Sequence, residues 1–333
     1  MKIGDFAAAA KCISGVRRDN AWLPAFSVGY SNHTKTRNDP SLNLPQSAAN
    51  TLIVAGVVLL VGTGFSLIYR TVRFFHFAHG GMVAVGPYLV LGFVLSGVPR
   101  LIAIATAVLL CATLGVAMEI LLYRPLRRNS ASSLVLLLAS LGIYVLLQNT
   151  ISLIFGDDTK SIRIGPVVEG INVLGARITP IQIATICVSI VLVIALAVFL
   201  RYSRLGRAMR AVANDRELAG LSGIDSDQVI LCAFAIGSAL AGVAGILVAL
   251  DVDMTPTMGM NALMMGIVAV IIGGANSIPG IALGALLLGM AQQFGVWKIS
   301  SQWQDAIAFF ILLAFLLFRP QGFLGRVSKM HAV

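Results

Sequence analysis

The chain has 333 residues, of which 58% are hydrophobic and 11% charged, and its formal net charge is +10. Soluble proteins average roughly 25% charged residues, and a soluble helix needs a polar outer face. The composition therefore excludes soluble enzymes, nucleic-acid-binding domains and disordered scaffolds. About 20 consecutive apolar residues cross a bilayer as a helix, and the chain has long stretches without charge at 129–156, 178–200, 228–250 and 254–297. We predict an all-α polytopic membrane protein.

Residues 1–50 are predicted to form a flexible N-terminal tail, because residues 27–50 are rich in Ser, Asn, Thr and Pro and such segments bury little apolar surface. A membrane domain is predicted over 51–326, with a short C-terminal tail at 327–333. The domain is expected to be a helical bundle of eight or nine hydrophobic segments. These segments are 51–69, 79–97, 101–122, 133–155, 178–200, 229–250, 258–275, 279–297 and 301–318.

The distribution of Lys and Arg predicts the orientation, because these residues are concentrated in cytoplasmic loops. If the loop with Arg124, Arg127 and Arg128 is cytoplasmic, alternation of the segments places the 201–228 loop and the C-terminus inside as well. Inside loops then hold 13 Lys and Arg residues and outside loops hold 5, while the tail adds six on the outside. We predict a cytoplasmic C-terminus.

Two Gly- and Pro-containing segments are predicted to break helices. One runs from Phe74 to Gly81 and is followed by Gly86–Pro87, and the other runs from Gly273 to Gly280. Proline removes a backbone donor and glycine makes unwinding easier. Paired interruptions of this kind in the two halves of a transporter indicate a substrate site. The candidate pathway residues are His76, His79, Gly80, Gly273, Gly274, Asn276 and Ser277.

Each of these residues also has a purely structural interpretation. His76 and His79 fit satisfied core histidines as well as solute contacts. Asn276 and Ser277 either contact a polar solute or cap the helix that follows the break. Glu119 is interpreted as a member of an interfacial ion pair with an arginine close to it.

The loop at 201–228 is rich in charge and is predicted to be helical from 205 to 219. Four arginines three residues apart (Arg201, Arg204, Arg207 and Arg210) lie along one face of such a helix, which is typical of an anchor near anionic headgroups. The stretch from Glu217 to Ala219, with Gly223 four residues later, resembles the loop by which permeases of ATP-binding-cassette importers dock onto their ATPase. A solvated loop is the alternative. The candidate ATPase-coupling residues are Arg207, Glu217, Ala219 and Gly223.

Six motifs follow one another in a characteristic order. They are Phe77–Met82, Glu119–Arg127, Arg201–Ala213, Leu218–Asp225, Gly273–Ala285 and Arg319–Arg326. Together they make the chain resemble, from 51 to 326, the branched-chain amino acid permease family of ATP-binding-cassette importers. The chain departs from the family pattern at both breaks. His76 and Gly81 replace the usual Asn and Glu, and Ala275–Asn276 replaces the usual Ile-Gly.

The resemblance implies a permease subunit in a bacterial inner membrane that translocates solute by alternating access. It implies a second homologous permease, two P-loop ATPase subunits inside and a periplasmic binding protein outside as partners. The solute is expected to be a branched-chain amino acid or a related small polar molecule such as urea or a short amide. ATP is expected to be used by the partner subunits, so this chain is predicted to bind no cofactor and to be no enzyme.

The sequence leaves one alternative of a different class, a stand-alone channel or facilitator for a small neutral solute. The scarcity of ionisable residues within the segments suits both functions, whereas the 201–228 loop favours the importer. The sequence has no GxxxxGK[ST] phosphate-binding loop, no HExxH and no GxSxG, so an intramembrane enzyme is disfavoured. No catalytic residue, metal site or nucleic-acid partner is predicted, and lipid is the expected surroundings.

Overall fold

The computed structural model describes residues 40–163, 170–173, 175–296, 300–319 and 322–324. Within these ranges almost every residue belongs to a helix or a short connection. The helices are α1 Pro40–Val72, α2 Ala78–Leu95, α3 Arg100–Met118, α4 Arg124–Arg128, α5 Ser133–Phe155, α6 Pro180–Tyr202, α7 Arg204–Asn214, α8 Arg216–Leu221, α9 Ser226–Asp251, α10 Met258–Gly273, α11 Ile278–Val296 and α12 Gln304–Phe318. The predicted all-α polytopic fold is confirmed.

Two helical turns and one hairpin make up the other regular structure of the described residues. A π-helical turn, Glu119–Tyr123, joins α3 to α4, and a 3₁₀ turn, Ser301–Trp303, precedes α12. Strands β1 Ile171–Val173 and β2 Ala176–Ile178 pair antiparallel in a hairpin in the connection before α6. The predicted segments overlap with the apolar helices, of which α10 and α12 are the short ones.

Among the described residues, seven helices are long and apolar enough to span a membrane, with α3 and α4 counted as one continuous span over Arg100–Arg128. Two apolar helices, α10 and α12, are shorter. Within its most apolar window α1 is 78% buried, whereas α3–α4, α5 and α6 are only 22–28% buried. The chain is therefore a multi-pass membrane protein in which α1 is central and the other three present apolar surface outward.

Two boundaries differ from the sequence prediction. Helix α1 begins at Pro40, inside the predicted 1–50 tail, and proline suits a first helical position because its missing N–H would have no helical partner there. Pro87 does not break α2, which is continuous over Ala78–Leu95. The first predicted break is therefore confined to residues 73–77.

Packing against α9 explains why α2 tolerates Pro87. Proline has no N–H for the carbonyl of Val83 four residues earlier. The bare Cα of Gly245 in α9 lies directly against that carbonyl, and a Cβ at Gly245 would clash with it. A Cα–H···O contact of this kind partly replaces the lost hydrogen bond.

Small residues set the other helix crossings around α1 and α9. A Cβ on Gly64 would lie 2.9 Å from the carbonyl oxygen of Gly237, and a Cβ on Gly237 would lie 2.9 Å from that of Gly64. Gly115 in α3 leaves room for the side chain of Ser238. Between membrane helices the hydrophobic effect does not drive association, and close packing of the backbones takes its place. These glycines therefore stabilise the centre of the bundle.

We predict that Gly245→Val destabilises the protein by about 1–3 kcal/mol, because a side chain there forces α2 and α9 apart. Gly142→Ala is the matched control, since a Cβ at Gly142 meets nothing within 4 Å and alanine is the better helix former. Thermal unfolding of the purified protein in detergent should show a lower Tm for Gly245→Val only. Equal Tm values for the two variants would contradict the packing role.

Candidate functional site

The connection between α1 and α2 carries the chain back into the bundle. His79, near the start of α2, has its Nε2 atom 3.2 Å from the carbonyl oxygen of Val61. Val61 precedes the end of α1 at Val72 by eleven residues, which is roughly 16 Å along a helix axis. Helix α2 therefore begins deep in the bundle.

Backbone groups freed at this depth need partners within the protein, because lipid offers none. Ser140 in α5 supplies them. Its hydroxyl accepts a hydrogen bond from the backbone N–H of Phe77 at 3.1 Å and lies 3.2 Å from the carbonyl oxygen of Phe75. The irregular connection is thus tied to a neighbouring span.

The two candidate histidines lie side by side in an aromatic cluster. Both are fully buried, and their ring centroids are 6.2 Å apart. The Nδ1 atom of His76 lies 3.2 Å from the hydroxyl of Tyr123, and the rings of Phe74 and Phe234 pack against His76. Among the described residues, the remaining ring nitrogens, His76 Nε2 and His79 Nδ1, have no hydrogen-bond partner. The geometry fits positioning of α1, α2 and α3, and a contact with solute stays a prediction.

Gly80 follows His79 and allows another close approach. A Cβ on Gly80 would lie 2.9 Å from the carbonyl oxygen of Gly259, near the start of α10. The first break is therefore enclosed by α1, α5 and α10.

The second break lies at residues 274–277, between α10 and α11. Gly274 has φ +92°, a conformation that glycine adopts without strain. The hydroxyl of Ser277 accepts a hydrogen bond from the N–H of Gly280 at 3.1 Å, which makes Ser277 the cap of α11. The carbonyl of Ala275 accepts a hydrogen bond from the hydroxyl of Ser66 in α1 at 2.7 Å. Of the two interpretations of Ser277, the geometry favours capping.

Residues near the C-terminus cover the second break. The N–H groups of Phe323 and Leu324 donate to the carbonyls of Ile272 and Gly273, the last residues of α10, at 2.8 and 3.3 Å. Asn276 is exposed at this end of the bundle.

The two breaks lie near a common apolar cluster. The buried ring of Phe65 belongs to this cluster, and Phe77 of the first connection and Ala275 of the second pack against it. In this conformation apolar side chains fill the space between them.

The 201–228 loop folds into α7 and α8, each with its own cap. Ser203 caps α7 through the N–H of Gly206 at 2.8 Å, and Asp215 caps α8 through two N–H groups at 2.9 and 3.0 Å. Arg207 is exposed, and its guanidinium donates to the carbonyl of Tyr202 at 2.8 Å. The loop therefore consists of two separately capped helices at the end of the bundle.

Gly223 ends α8 because its backbone adopts a left-handed conformation. Its φ is +78°, and the N–H groups of Gly223 and Ile224 donate to the carbonyls of Gly220 and Ala219, each at 3.0 Å. This is a Schellman motif, which glycine favours. Ala219 is buried and Glu217 is exposed, so the four candidate coupling residues have different environments.

Arg73 connects the loop to the first break. Its guanidinium donates to the carbonyls of Ala213 and Asn214, the last residues of α7, at 3.1 Å each. A cation is favoured at this end of a helix, where free carbonyls carry partial negative charge. This contact was not predicted from the sequence, in which Arg73 is recognisable only as a basic residue beside the break.

Asp227 is the main residue that sequence reasoning missed. Its Oδ2 atom accepts hydrogen bonds from Arg124 at 2.9 Å and Arg128 at 3.2 Å, and its Oδ1 atom accepts one from Arg216 at 3.2 Å. One carboxylate, 21% exposed, thus joins α4, α8 and α9.

The ion pair expected for Glu119 is formed with Arg127, because Arg124 is turned toward Asp227.

A comparison with family models matches residues 47–316 to the permease component of branched-chain amino acid transport systems. The chain is 34% identical, over 297 residues, to the high-affinity branched-chain amino acid transport system permease protein BraD of Pseudomonas aeruginosa. It is 32% identical, over 299 residues, to the corresponding LivH protein of Escherichia coli. Both alignments cover 84% of this chain and 95% of the relative.

Weaker similarities extend beyond these relatives. The autoinducer 2 import system permease protein LsrC of Photorhabdus laumondii is 29% identical over 136 residues, covering 38% of this chain and 41% of that protein. The solved structure of PsaBC from Streptococcus pneumoniae in complex with Fab covers 82% of this chain and 91% of its own, at 14% identity and a TM-score of 0.46. Neither similarity is close enough to support a further inference.

We predict that Asp227→Asn loosens α8, because loss of the carboxylate leaves three neighbouring guanidinium groups to repel one another. Amide hydrogen exchange over Arg216–Leu221 should rise several-fold, while exchange in α2 is unchanged. The control is Asp225→Asn. Asp225 caps α9, a role that asparagine fills equally well, and it pairs with no arginine among the described residues. The same exchange in both variants would show that Asp227 does not hold α8.

Proposed function

The chain belongs to the family of permease components of branched-chain amino acid transport systems, and from this we propose that it is the membrane-spanning permease of an ATP-driven importer. The proposed solute is a branched-chain amino acid or a related small polar molecule, delivered by a periplasmic binding protein. The observation that carries the proposal is the two-helix loop of α7 and α8, which lies outside the spans and is tied to α9 by the ion pair between Arg216 and Asp227 and to the first break by Arg73.

The surface of α8 fits a protein partner. Leu218 and Leu221 are 61% and 86% exposed, and residues three apart share one face of a helix. Exposed apolar side chains in a charged loop are typical of an interaction site. Because Glu217 is also exposed, the face combines an acidic group with two leucines. We assign this face to a P-loop ATPase subunit, with ATP used there and not by this chain.

Two contacts connect that face with the membrane interior. Asp227 links α8 to α4 and α9, and Arg73 links α7 to the connection that carries His76 and leads into α2, where His79 lies. A displacement of α7 and α8 by the ATPase is therefore passed to the start of α2 inside the bundle. This supports alternating access, in which the permease reorients around the breaks.

The orientation follows from charge. Arginines of the α7–α8 loop and of the ends of α1 and α4 lie together at one end of the bundle, and they favour the cytoplasmic side. Residues 322–324 pair with the end of α10, beside the contact between Ser66 and Ala275. We therefore place the C-terminus in the cytoplasm of a bacterium, with the protein in the inner membrane.

The remaining partners proposed are a second homologous permease, a second P-loop ATPase and the binding protein. The relatives are named as permease proteins of transport systems, which supports an assembly of several subunits.

We predict that Leu221→Asp together with Glu217→Lys reduces ATPase co-purification at least tenfold and abolishes uptake. Neither substitution disturbs the Gly223 turn, so the result reports docking and not backbone strain. Gly220→Ala is the control, because Gly220 is exposed and a Cβ there meets nothing within 4 Å. Full ATPase recovery with normal uptake in the double variant would refute the docking face.

Proteoliposomes test the importer against a channel. With its partners, the chain should accumulate radiolabelled L-leucine above equilibrium when ATP is supplied, and the chain alone should move none. Equilibration of leucine by the chain alone, without ATP, would establish a channel and overturn the proposal.

A further inference from the structure

A basic recess lies at the end of the bundle that carries α7, between that helix and the ends of α1 and α6. The lining residues used below are Arg70 of α1, Leu200 of α6, and Met209 and Arg210 of α7. The recess holds about 10 Å³, which is room for one water-sized atom. It opens at the surface of the protein, because Arg210 is exposed.

The two arginines of the recess have no anionic partner among the described residues. The Nε atom of Arg70 is buried there without a hydrogen-bond partner, and neither arginine takes part in an ion pair between described residues. The guanidinium of Arg210 has one long contact, 3.4 Å to the carbonyl oxygen of Arg201. Two positive charges that line one recess repel each other, so an anion placed between them is stabilised by both.

The neighbouring Arg73 shows what a satisfied arginine looks like at this end of the bundle. Its guanidinium donates to the carbonyls of Ala213 and Asn214, so the last carbonyls of α7 are already occupied. The end of α1 favours a cation at Arg70, but no described residue accepts a hydrogen bond from its Nε atom. Buried polar groups normally have a hydrogen-bond partner, so this atom indicates a ligand that accepts one.

The surroundings of the recess indicate a lipid. Helix α6, whose Leu200 lines the recess, is only 28% buried within its most apolar window and therefore faces acyl chains. It ends at Tyr202, which is 66% exposed, and tyrosine is enriched at the headgroup level of a membrane. Arg70 lies in the last turn of α1, at the same end of the bundle. The two arginines are therefore placed where the phosphates of the membrane lie.

The outer side of α7 has the charge that such a membrane surface attracts. Met209 and Val212 are buried against the bundle, whereas Arg204, Arg207 and Arg210 are exposed. Basic residues at the end of a membrane span are attracted to anionic headgroups, and basic pockets between spans bind them. The recess is the one part of this basic side at which a guanidinium nitrogen without a partner is buried among the described residues.

We propose that this recess binds the phosphate of an anionic phospholipid from the leaflet on the side of α7 and α8. One phosphate oxygen enters the recess and accepts a hydrogen bond from Arg70, while the rest of the headgroup stays at the surface beside Arg210. Guanidinium groups suit phosphate because their donors match its oxygens in geometry, and the acyl chains lie along α6. The lipid thereby joins α1 to α7 and stabilises the two-helix loop. The inference does not depend on which solute the protein carries.

Native mass spectrometry of the purified full-length chain tests the site. The chain in detergent is titrated with dioleoylphosphatidylglycerol or with dioleoylphosphatidylcholine, which has the same acyl chains and no net charge. The native chain should bind its first phosphatidylglycerol about tenfold more tightly, the size of one charge-assisted hydrogen bond. Arg70→Gln and Arg210→Gln should each abolish most of this preference. Arg204→Gln is the matched control, because it removes the same charge from the exposed side of α7 and Arg204 does not line the recess.

Thermal unfolding of each variant without added lipid verifies that it is folded. Arg210 is exposed, so Arg210→Gln decides the question by itself if Arg70→Gln does not fold. Equal binding of the two lipids by the native chain would overturn the proposal. So would the native preference in Arg210→Gln, or a loss in Arg204→Gln as large as that in Arg210→Gln, because the recess would then have no part in the binding.

Competition and co-purification distinguish the lipid from other anions. Inorganic phosphate should not displace phosphatidylglycerol, because it has no acyl chains to lie along α6. Displacement by inorganic phosphate at the concentration of the lipid would show that the ligand is a free phosphate, and the lipid proposal would fail. It would also fail if Arg70→Gln and Arg210→Gln bound phosphatidylglycerol as the native chain does but lost the ATPase during purification, since the recess would then receive an acidic group of that partner.

Discussion

The constraint on which this structure depends is that lipid supplies no hydrogen bonds, so every backbone group freed within the bundle must find a partner in the protein. Two irregularities show how the chain meets it. Pro87 leaves the carbonyl of Val83 without its helical donor, and Gly245 of α9 packs against that carbonyl. The start of α2 lies deep in the bundle, and Ser140 of α5 satisfies the N–H of Phe77. Both solutions need a neighbouring helix at very short distance, which explains the dense use of glycine.

The same constraint also explains how the interior of the bundle is connected to the loop of α7 and α8 outside it. Because α2 begins inside the bundle, the connection before it spans from the end of α1 to that depth. Arg73 in this connection holds the last carbonyls of α7, while Asp227 holds α8 against α4 and α9. The loop of α7 and α8 is therefore held both by the connection before α2 and by α4 and α9, and not by one hinge.

The two ends of the bundle differ in chemistry. The end with α7 and α8 is rich in arginine, and two of its acidic groups, Asp227 and Glu119, are engaged in ion pairs. The opposite end holds a cavity lined by two carboxylates and several amides, with aliphatic walls.

The apolar helical segments, the membrane location and the charge-rich loop at 201–228 can be read from the sequence alone, because apolar length and charge density are local properties. Three features became visible in the folded chain only: Pro87 stays within α2, Glu119 pairs with Arg127, and Asp227 gathers arginines from two other helices. Folding likewise brought the lining residues of the cavity together from six helices. These features depend on which helices are neighbours, and in a bundle that is set by close packing between segments distant in sequence.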